Sequence, residues 1–179
     1  MLKGRDLCIR TIRERDLEVL GEWVNDIDAQ GAFLPATLTS ETKLKSQYAE
    51  NGFISDSSAQ YLISNHAGDI LGSIWAFKSV PYFDAMEVGY QIFDTQLRGK
   101  GYATEALRLF HHYLFETKQI NRVELRIATE NIASEQVARK VGFTHEGTCR
   151  EAAYSKGKLH DMHIYAMLRR EWTLRQAES

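Results

Sequence analysis

Gln96-Leu97-Arg98-Gly99-Lys100-Gly101-Tyr102-Ala103-Thr104 is the stretch on which the reading of this chain turns. Two glycines one residue apart let the backbone bend sharply and approach a ligand closely, with successive N–H groups aimed at one point. Downstream, from Tyr102 to Glu116, the apolar residues Ala103, Ala106, Leu107, Phe110 and Leu114 fall on one helical face, with no Gly or Pro inside. Upstream, residues 85 to 93 alternate. Met86, Val88, Tyr90 and Ile92 share one face and Glu87, Gly89, Gln91 and Phe93 the other, as in a strand. A glycine turn between a strand and a helix N-terminus suits a phosphate or diphosphate, because the helix macrodipole favours an anion there. Arg98 and Lys100 are expected to add positive charge at the mouth.

Working outward, Arg122 to Thr129 alternates with Val123, Leu125 and Ile127 inward and Arg122, Glu124 and Arg126 outward, a half-buried strand expected beside residues 85 to 93. Asn131 is a good N-cap for a short helix with Val137, Ala138 and Val141 inside, and Gly142 is placed to end it. Two further strands are expected at about 143 to 150 and 160 to 169. On the N-terminal side, a strand at 5 to 12 precedes a helix at 16 to 27. The unpatterned stretch Ala29 to Ser40, with Gly31 and Pro35, leads to a second helix capped by Ser40. Tyr61 to Ser64 and Ile70 to Lys78 flank the turn composition Asn65-His66-Ala67-Gly68-Asp69, which closes hairpins. The order β-α-α-β-β-β-α-β-α-β-β predicts an α/β (α+β) fold, a mixed, mostly antiparallel sheet of about seven strands flanked by about four helices.

The 179 residues, 44% apolar and 26% charged, with 12 Gly and 2 Pro, exclude a disordered or collagen-like chain. One domain spanning 1–179 is expected, since no internal repeat, like-charge block or Pro/Ser-rich linker divides it. A formal net charge of -2 gives no bulk attraction for nucleic acid or an anionic membrane, so neither partner is expected. Met1-Leu2-Lys3-Gly4-Arg5-Asp6 carries charge where a signal peptide needs an apolar stretch, and Cys8 and Cys149 form no C-x-x-C pair. A soluble, unprocessed cytoplasmic protein is expected.

The phosphate loops differ in spacing. A Walker A loop needs Ser or Thr after its Gly-Lys pair, whereas Lys100 is followed by Gly101 and Tyr102. A dinucleotide loop needs a third small residue three positions after the second glycine, and position 104 is Thr. The third kind binds acyl-coenzyme A. The segment resembles the Gln/Arg-x-x-Gly-x-Gly/Ala motif of the Gcn5-related N-acetyltransferase superfamily. The likeness extends to Glu87-Val88-Gly89-Tyr90 upstream, to Asn131-Ile132-Ala133-Ser134 and Val141-Gly142-Phe143 downstream, and to the closing Leu168-Arg169-Arg170-Glu171-Trp172. Together these resemble the branch that acetylates the N-termini of ribosomal proteins, over most of the chain and most strongly over about residues 85 to 172.

The resemblance implies direct transfer of an acetyl group from acetyl-coenzyme A to a primary amine, with no metal and no covalent enzyme intermediate. It implies two parallel strands that splay apart, with the pantetheine arm in the gap against residues 90 to 93, Gln91, Ile92 and Phe93 among them, and the diphosphate on Gln96, Arg98, Gly99, Lys100, Gly101, Tyr102, Ala103 and Thr104. Asn131 matches a position that contacts the coenzyme arm, and Ser134 a position proposed to protonate the departing thiolate. Glu87 is the candidate base, drawing the amine proton through water. Aligned on Glu146-Gly147, the glutamate that some relatives place a few residues on is Ala153 here, with Glu151 and Tyr154 nearby. The acceptor faces the least patterned segments, about 25 to 40 and 147 to 160. A ribosomal-protein N-terminus leads, with a polyamine, an antibiotic or a non-catalytic acyl-coenzyme A binding module as alternatives. The relatives permit a homodimer.

The remaining motifs have plainer readings. Ser134 is also a common first-turn helix residue, and Glu87 also a solvent-facing strand residue. His111 and His112 point apart on a helix and His160 and His163 face opposite sides of a strand, so no metal-ligand set emerges. Trp23, Trp75, Tyr82, Phe83 and Trp172 are expected in core or interface, with Trp75, Tyr82 and Phe83 as possible walls of an acceptor groove.

Overall fold

Alternating apolar strands can bury two faces only if helices cover both, and the computed structural model, which describes residues 1–34 and 37–177, does this. The elements are β1 (Leu2–Lys3), β2 (Cys8–Thr11), α1 (Leu17–Asn25), α2 (Glu41–Asn51), β3 (Ser58–Ser64), β4 (Ile70–Phe77) and β5 (Ala85–Ile92). They continue with α3 (Tyr102–Thr117), β6 (Arg122–Ala128), α4 (Ile132–Val141), β7 (Thr144–Ser155), β8 (Lys158–Leu168) and α5 (Arg169–Ala177). Short 3-10 turns at Glu14–Asp16 and Thr95–Leu97 precede α1 and the glycine loop. The sheet runs β1-β2-β3-β4-β5-β6-β8-β7. Every neighbouring pair is antiparallel except β5 with β6.

The expected architecture holds, with one more strand, the two-residue β1, and one more helix, α5. Pro35 and the last two residues of the expected 1–179 domain lie outside the described residues. The last two strands are longer than their alternation suggests, because Lys156 (φ 44°) and Gly157 (φ 84°) make a two-residue turn joining Ser155 to Lys158. Two positive φ values in succession match the right-handed twist of a hairpin. Bulges between His145 and Gly147 and between Cys149 and Ala153 interrupt the alternation of β7.

One sheet face packs Ile9, Ile63, Ile74, Met86, Val88, Val123 and Leu125 against Leu107, Phe110 and Leu114 of α3 and Ala138 and Val141 of α4. The other packs Leu62 and Phe93 against Leu17 and Leu20 of α1, with Trp23 stacked on Phe93 at 5.3 Å between ring centroids. The caps behave as their residue types dictate. Ser40 Oγ accepts the Lys43 N–H at 3.2 Å, Asn131 Oδ1 accepts that of Ser134 at 3.2 Å, and Gly142 closes α4 at φ 98°. Trp172 stacks on Phe115, as expected of a packed tryptophan. Tyr82, by contrast, is 85% exposed on the turn before β5, which rules out the core half of the core-or-interface expectation.

His111 is buried on α3, its Nδ1 2.9 Å from the Leu107 carbonyl, and burial pushes its pKa down to about 4. The folded chain therefore holds the ring neutral, while the unfolded chain protonates it near its ordinary value of about 6.5. Stability contributed by the neutral ring is present above about pH 6.5 and is lost as pH falls toward 4, by up to about 1.4 kcal/mol per pH unit. Urea unfolding between pH 7 and 4.5 is expected to show this slope, and His111→Gln to flatten it.

Candidate active site

The site exists because two parallel strands part. β5 and β6 pair only where Ala85, Met86 and Glu87 face Arg122, Val123 and Glu124. Beyond that register Val88 to Ile92 and Leu125 to Ala128 line opposite sides of a cleft of about 470 Å³. Strand edges turned toward the cleft carry backbone groups whose ladder partner has moved away, and such groups call for a ligand or water.

The glycine loop closes one end. Gly99 (φ 77°) and Gly101 (φ 93°) lie in the left-handed region, and a Cβ on either would meet nothing within 4 Å. Arg98 N–H donates to the Thr95 carbonyl and Glu105 N–H to that of Gly101. Between them, the N–H groups of Gly99 to Thr104 find no acceptor among the described residues, at the start of a 16-residue helix. Unspent amides, helix dipole and open space make a cradle for a diphosphate.

Gln91, Ile92, Arg98, Gly99, Gly101, Tyr102, Ala103, Thr104 and Asn131 line the cleft, whereas Phe93, Gln96 and Lys100 stand outside its lining. Phe93 is buried under Trp23, Gln96 and Lys100 are exposed, and the Gln96 N–H donates to Asp94 Oδ1 at 2.8 Å. The Arg98 guanidinium does not project at the mouth as expected. It folds back to donate to the carbonyls of Ile92 (3.1 Å) and Phe93 (3.4 Å), which the end of β5 leaves without ladder partners, and to that of Ala29 (2.6 Å) in the loop after α1.

Deeper in the cleft, the Asn131 cap fixes the first turn of α4 and places Ser134 on the lining. Tyr90, on the opposite wall, donates its hydroxyl to the Ser134 carbonyl at 3.4 Å. Burial pushes the Tyr90 pKa up to about 12, so it remains a neutral phenol at physiological pH. Tyr90 is a site residue that alternation alone assigned to the core face, since alternation carries no sign of where the strands separate.

Glu87 ends the paired part of β5 and is 14% exposed, with Oε2 2.9 Å from Arg126 Nε. It is the last of a row in which Arg126 also approaches Glu124 (3.7 Å), and Arg122 joins Glu124 (2.6 Å) to Glu146 (2.5 Å). Glu124, expected outward, is 4% exposed within that row, its charge answered by an arginine on each side. Burial raises the pKa of Glu87, with the Arg126 charge opposing it. Arg126 lines the cleft, and the Glu87 carboxylate stands directly behind it. Glu151 lies on the β7 bulge at φ 49°, exposed, its N–H held by Asp161 at 2.8 Å, and Ala153 brings no carboxylate.

The side away from α3 and α4 is walled by residues 30 to 34, with Trp75 and Met162. Among the described residues that line the cleft none is Asp or Glu, while Arg98, Arg126 and Lys140 are cationic. Tyr82 and Phe83 are not part of the lining. No group of three or more His, Cys, Asp or Glu is arranged to hold a metal among the described residues.

Comparison with known proteins agrees with this geometry. Residues 6–144 match the family model described as acetyltransferase (GNAT) domain. The putative ribosomal N-acetyltransferase YdaF of Bacillus subtilis (strain 168) is 31% identical over 173 residues, 93% of each chain. The ribosomal-protein-serine acetyltransferase of Escherichia coli (strain K12) is 26% identical over 100 residues, 56% of this chain and 55% of that one. Among solved structures, the spermidine N-acetyltransferase of Vibrio cholerae in complex with CoA and spermine superposes with a TM-score of 0.83. It is 18% identical, with 95% of this chain and 99% of that one covered, and shows the shared fold.

Valine at 101 would force a β-branched residue to φ 93° and fill the space before the amides. Titration of Gly101→Val with coenzyme A is expected to show at least about tenfold weaker binding, equivalent to about 1.4 kcal/mol. Unchanged affinity would contradict the cradle.

Proposed function

Since this chain belongs to the acetyltransferase (GNAT) family and is an acetyl-CoA-dependent N-acetyltransferase, we propose that the amine it acetylates is the N-terminal α-amine of a protein, of the ribosomal-protein type. The observation that carries the choice of acceptor is the lack of carboxylates in the described lining, beside the apolar wall of Phe33, Leu34, Trp75 and Met162. A polyamine presents several positive charges and calls for anionic partners. A peptide N-terminus presents one amine on an otherwise neutral backbone. The name of the Bacillus subtilis relative supports the same choice.

In this reading the amides of Gly99 to Thr104 hold the diphosphate, and the edge of β5 at Gln91, Ile92 and Phe93, with Asn131, aligns the pantetheine arm. Gln96, Arg98 and Lys100 contribute as the backbone frame of the loop. The acceptor nitrogen attacks the thioester carbonyl, forms the amide bond and loses a proton, while the carbon–sulfur bond breaks and the thiolate leaves. The Ser134 hydroxyl, which no side chain engages among the described residues, delivers a proton to that thiolate. Glu87, its carboxylate behind Arg126, takes the amine proton through water. The cytoplasm is the proposed place of reaction, supported by the free thiols Cys8 and Cys149. Among the described residues no helix is long and apolar enough to cross a membrane.

Ser134→Ala is expected to lower kcat by about 10²-fold with coenzyme A affinity unchanged, since removing a positioned acid acts on the chemical step. A base must be deprotonated to act, so with its pKa raised by burial the acid limb of kcat/KM should lie above the ordinary carboxylate range. That limb should disappear in Glu87→Gln, and a rate profile unaltered by the substitution would remove Glu87 as base. Thiol release is expected to favour peptides with a free N-terminus over spermidine by about tenfold or more in kcat/KM. The reverse preference would overturn the acceptor assignment.

A further inference from the structure

Residues 30 to 34 wall the acceptor side of the cleft, yet have no regular secondary structure of their own. Up to Gly31 local turn bonds to Val24, Asp26 and Asp28 hold the chain, and bonds from elsewhere add to them. Lys156 Nζ donates to the Ile27 carbonyl at 3.0 Å, and Arg98 and Gln91 both donate to that of Ala29. Beyond Gly31, the tie among the described residues is the Ser155 hydroxyl, donating to the Ala32 carbonyl at 2.9 Å. The next lies at Thr39, whose N–H donates to Asn25 Oδ1.

Ser155 is itself held. It is the last residue of β7, 3% exposed, before the Lys156-Gly157 turn. Its Oγ lies 3.0 Å from Nε2 of His160, which is 2% exposed, and His160 Nδ1 lies 2.8 Å from Glu130 Oε2. Ser155 has one hydroxyl hydrogen. Spent on Ala32, it leaves the oxygen to accept from the ring, and the ring's other nitrogen faces the Glu130 carboxylate. Hydrogen bonding to the ring is the largest of the effects that hold the Glu130 carboxyl below its usual range, and Lys158 Nζ at 3.6 Å adds to them. The edge of the His160 ring also meets the Phe33 ring, with centroids 5.8 Å apart at 79°. Ala32 and Phe33 line the cleft, whereas Ser155, His160 and Glu130 do not.

We propose that the Glu130–His160–Ser155 chain positions the acceptor: it fixes the cleft wall at Ala32 and Phe33 against the β7–β8 hairpin and so sets how tightly the amine substrate binds. The three are positioning residues, acting through the wall without touching reacting atoms. The inference rests on the acetyl transfer reading and adds to it residues that decide acceptor affinity.

The test combines kinetics with amide hydrogen exchange on the intact chain. Ser155→Ala is expected to raise the acceptor KM by about fivefold to tenfold, the loss of one buried hydrogen bond, with kcat and coenzyme A affinity changed by less than about twofold. Exchange is expected to quicken at residues 29 to 34 and not in α3. Ser155→Thr, which keeps the hydroxyl, should restore both readouts. An acceptor KM that stays put in Ser155→Ala, or exchange unchanged at 29 to 34, overturns the proposal. Should the wild-type chain acetylate no amine, the acetyl transfer reading fails, and the exchange measurement alone decides whether the wall is held this way.

Discussion

The arrangement depends on a parallel strand pair that stops pairing after three positions. β5 and β6 can diverge beyond Glu87 and Glu124 because each is secured on its far side. β5 stays in register with β4 from Gly72↔Ile92 to Phe77↔Glu87, and β6 with β8 from Arg122↔Leu168 to Ala128↔Met162. Those ladders hold the divergent segments extended, so the wedge between them keeps its shape without a ligand. On one face α3 and α4 bury the apolar sides of both strands, which prevents closure by rotation. The backbone groups facing the wedge remain available, and that availability distinguishes a binding cleft from a packing defect.

Two electrostatic environments meet at this wedge. At the mouth, polarity comes from backbone: six amides and a helix N-terminus, with the nearest guanidinium, that of Arg98, committed to three carbonyls. Fixed dipoles of that kind need no reorganisation when an anion arrives. Behind the cleft, polarity comes from side chains: three carboxylates share two arginines in the row from Glu146 to Glu87. Glu124 sits between both arginines, whereas Glu87, at the end of the row, has Arg126 alone, and burial raises its pKa against that charge.

Local signals made much of this legible in the sequence. The apolar stripe of α3, the alternation of β6, the Asn131 cap, the Gly142 terminus and the paired glycines are each decided by neighbours within a few residues, and each stands where the chain's own pattern puts it. What could not be read was decided across the fold. Glu124 looks solvent-facing until Arg122 and Arg126 are seen to cover it. Arg98 looks like a phosphate ligand until the end of β5 supplies the carbonyls of Ile92 and Phe93, and the loop after α1 that of Ala29. Tyr90 reads as core because nothing in residues 85 to 93 reveals the parting of the strands. The bulges of β7 mask the alternation that would extend the last two strands to the Lys156-Gly157 turn.

Arg98 also joins the two halves of the site. Its backbone belongs to the glycine loop, and its guanidinium grips the Ala29 carbonyl at the root of the acceptor wall, which Gln91 of β5 grips as well. Any shift of the loop that rotates this side chain must break the bond to Ala29 or carry the wall with it. The 2.6 Å bond is charge-assisted and partly buried. The wall is thus fastened at one end to the glycine loop and at the other to the hairpin through Ser155. A segment pinned between the glycine loop and the hairpin thereby links the two ends of the cleft.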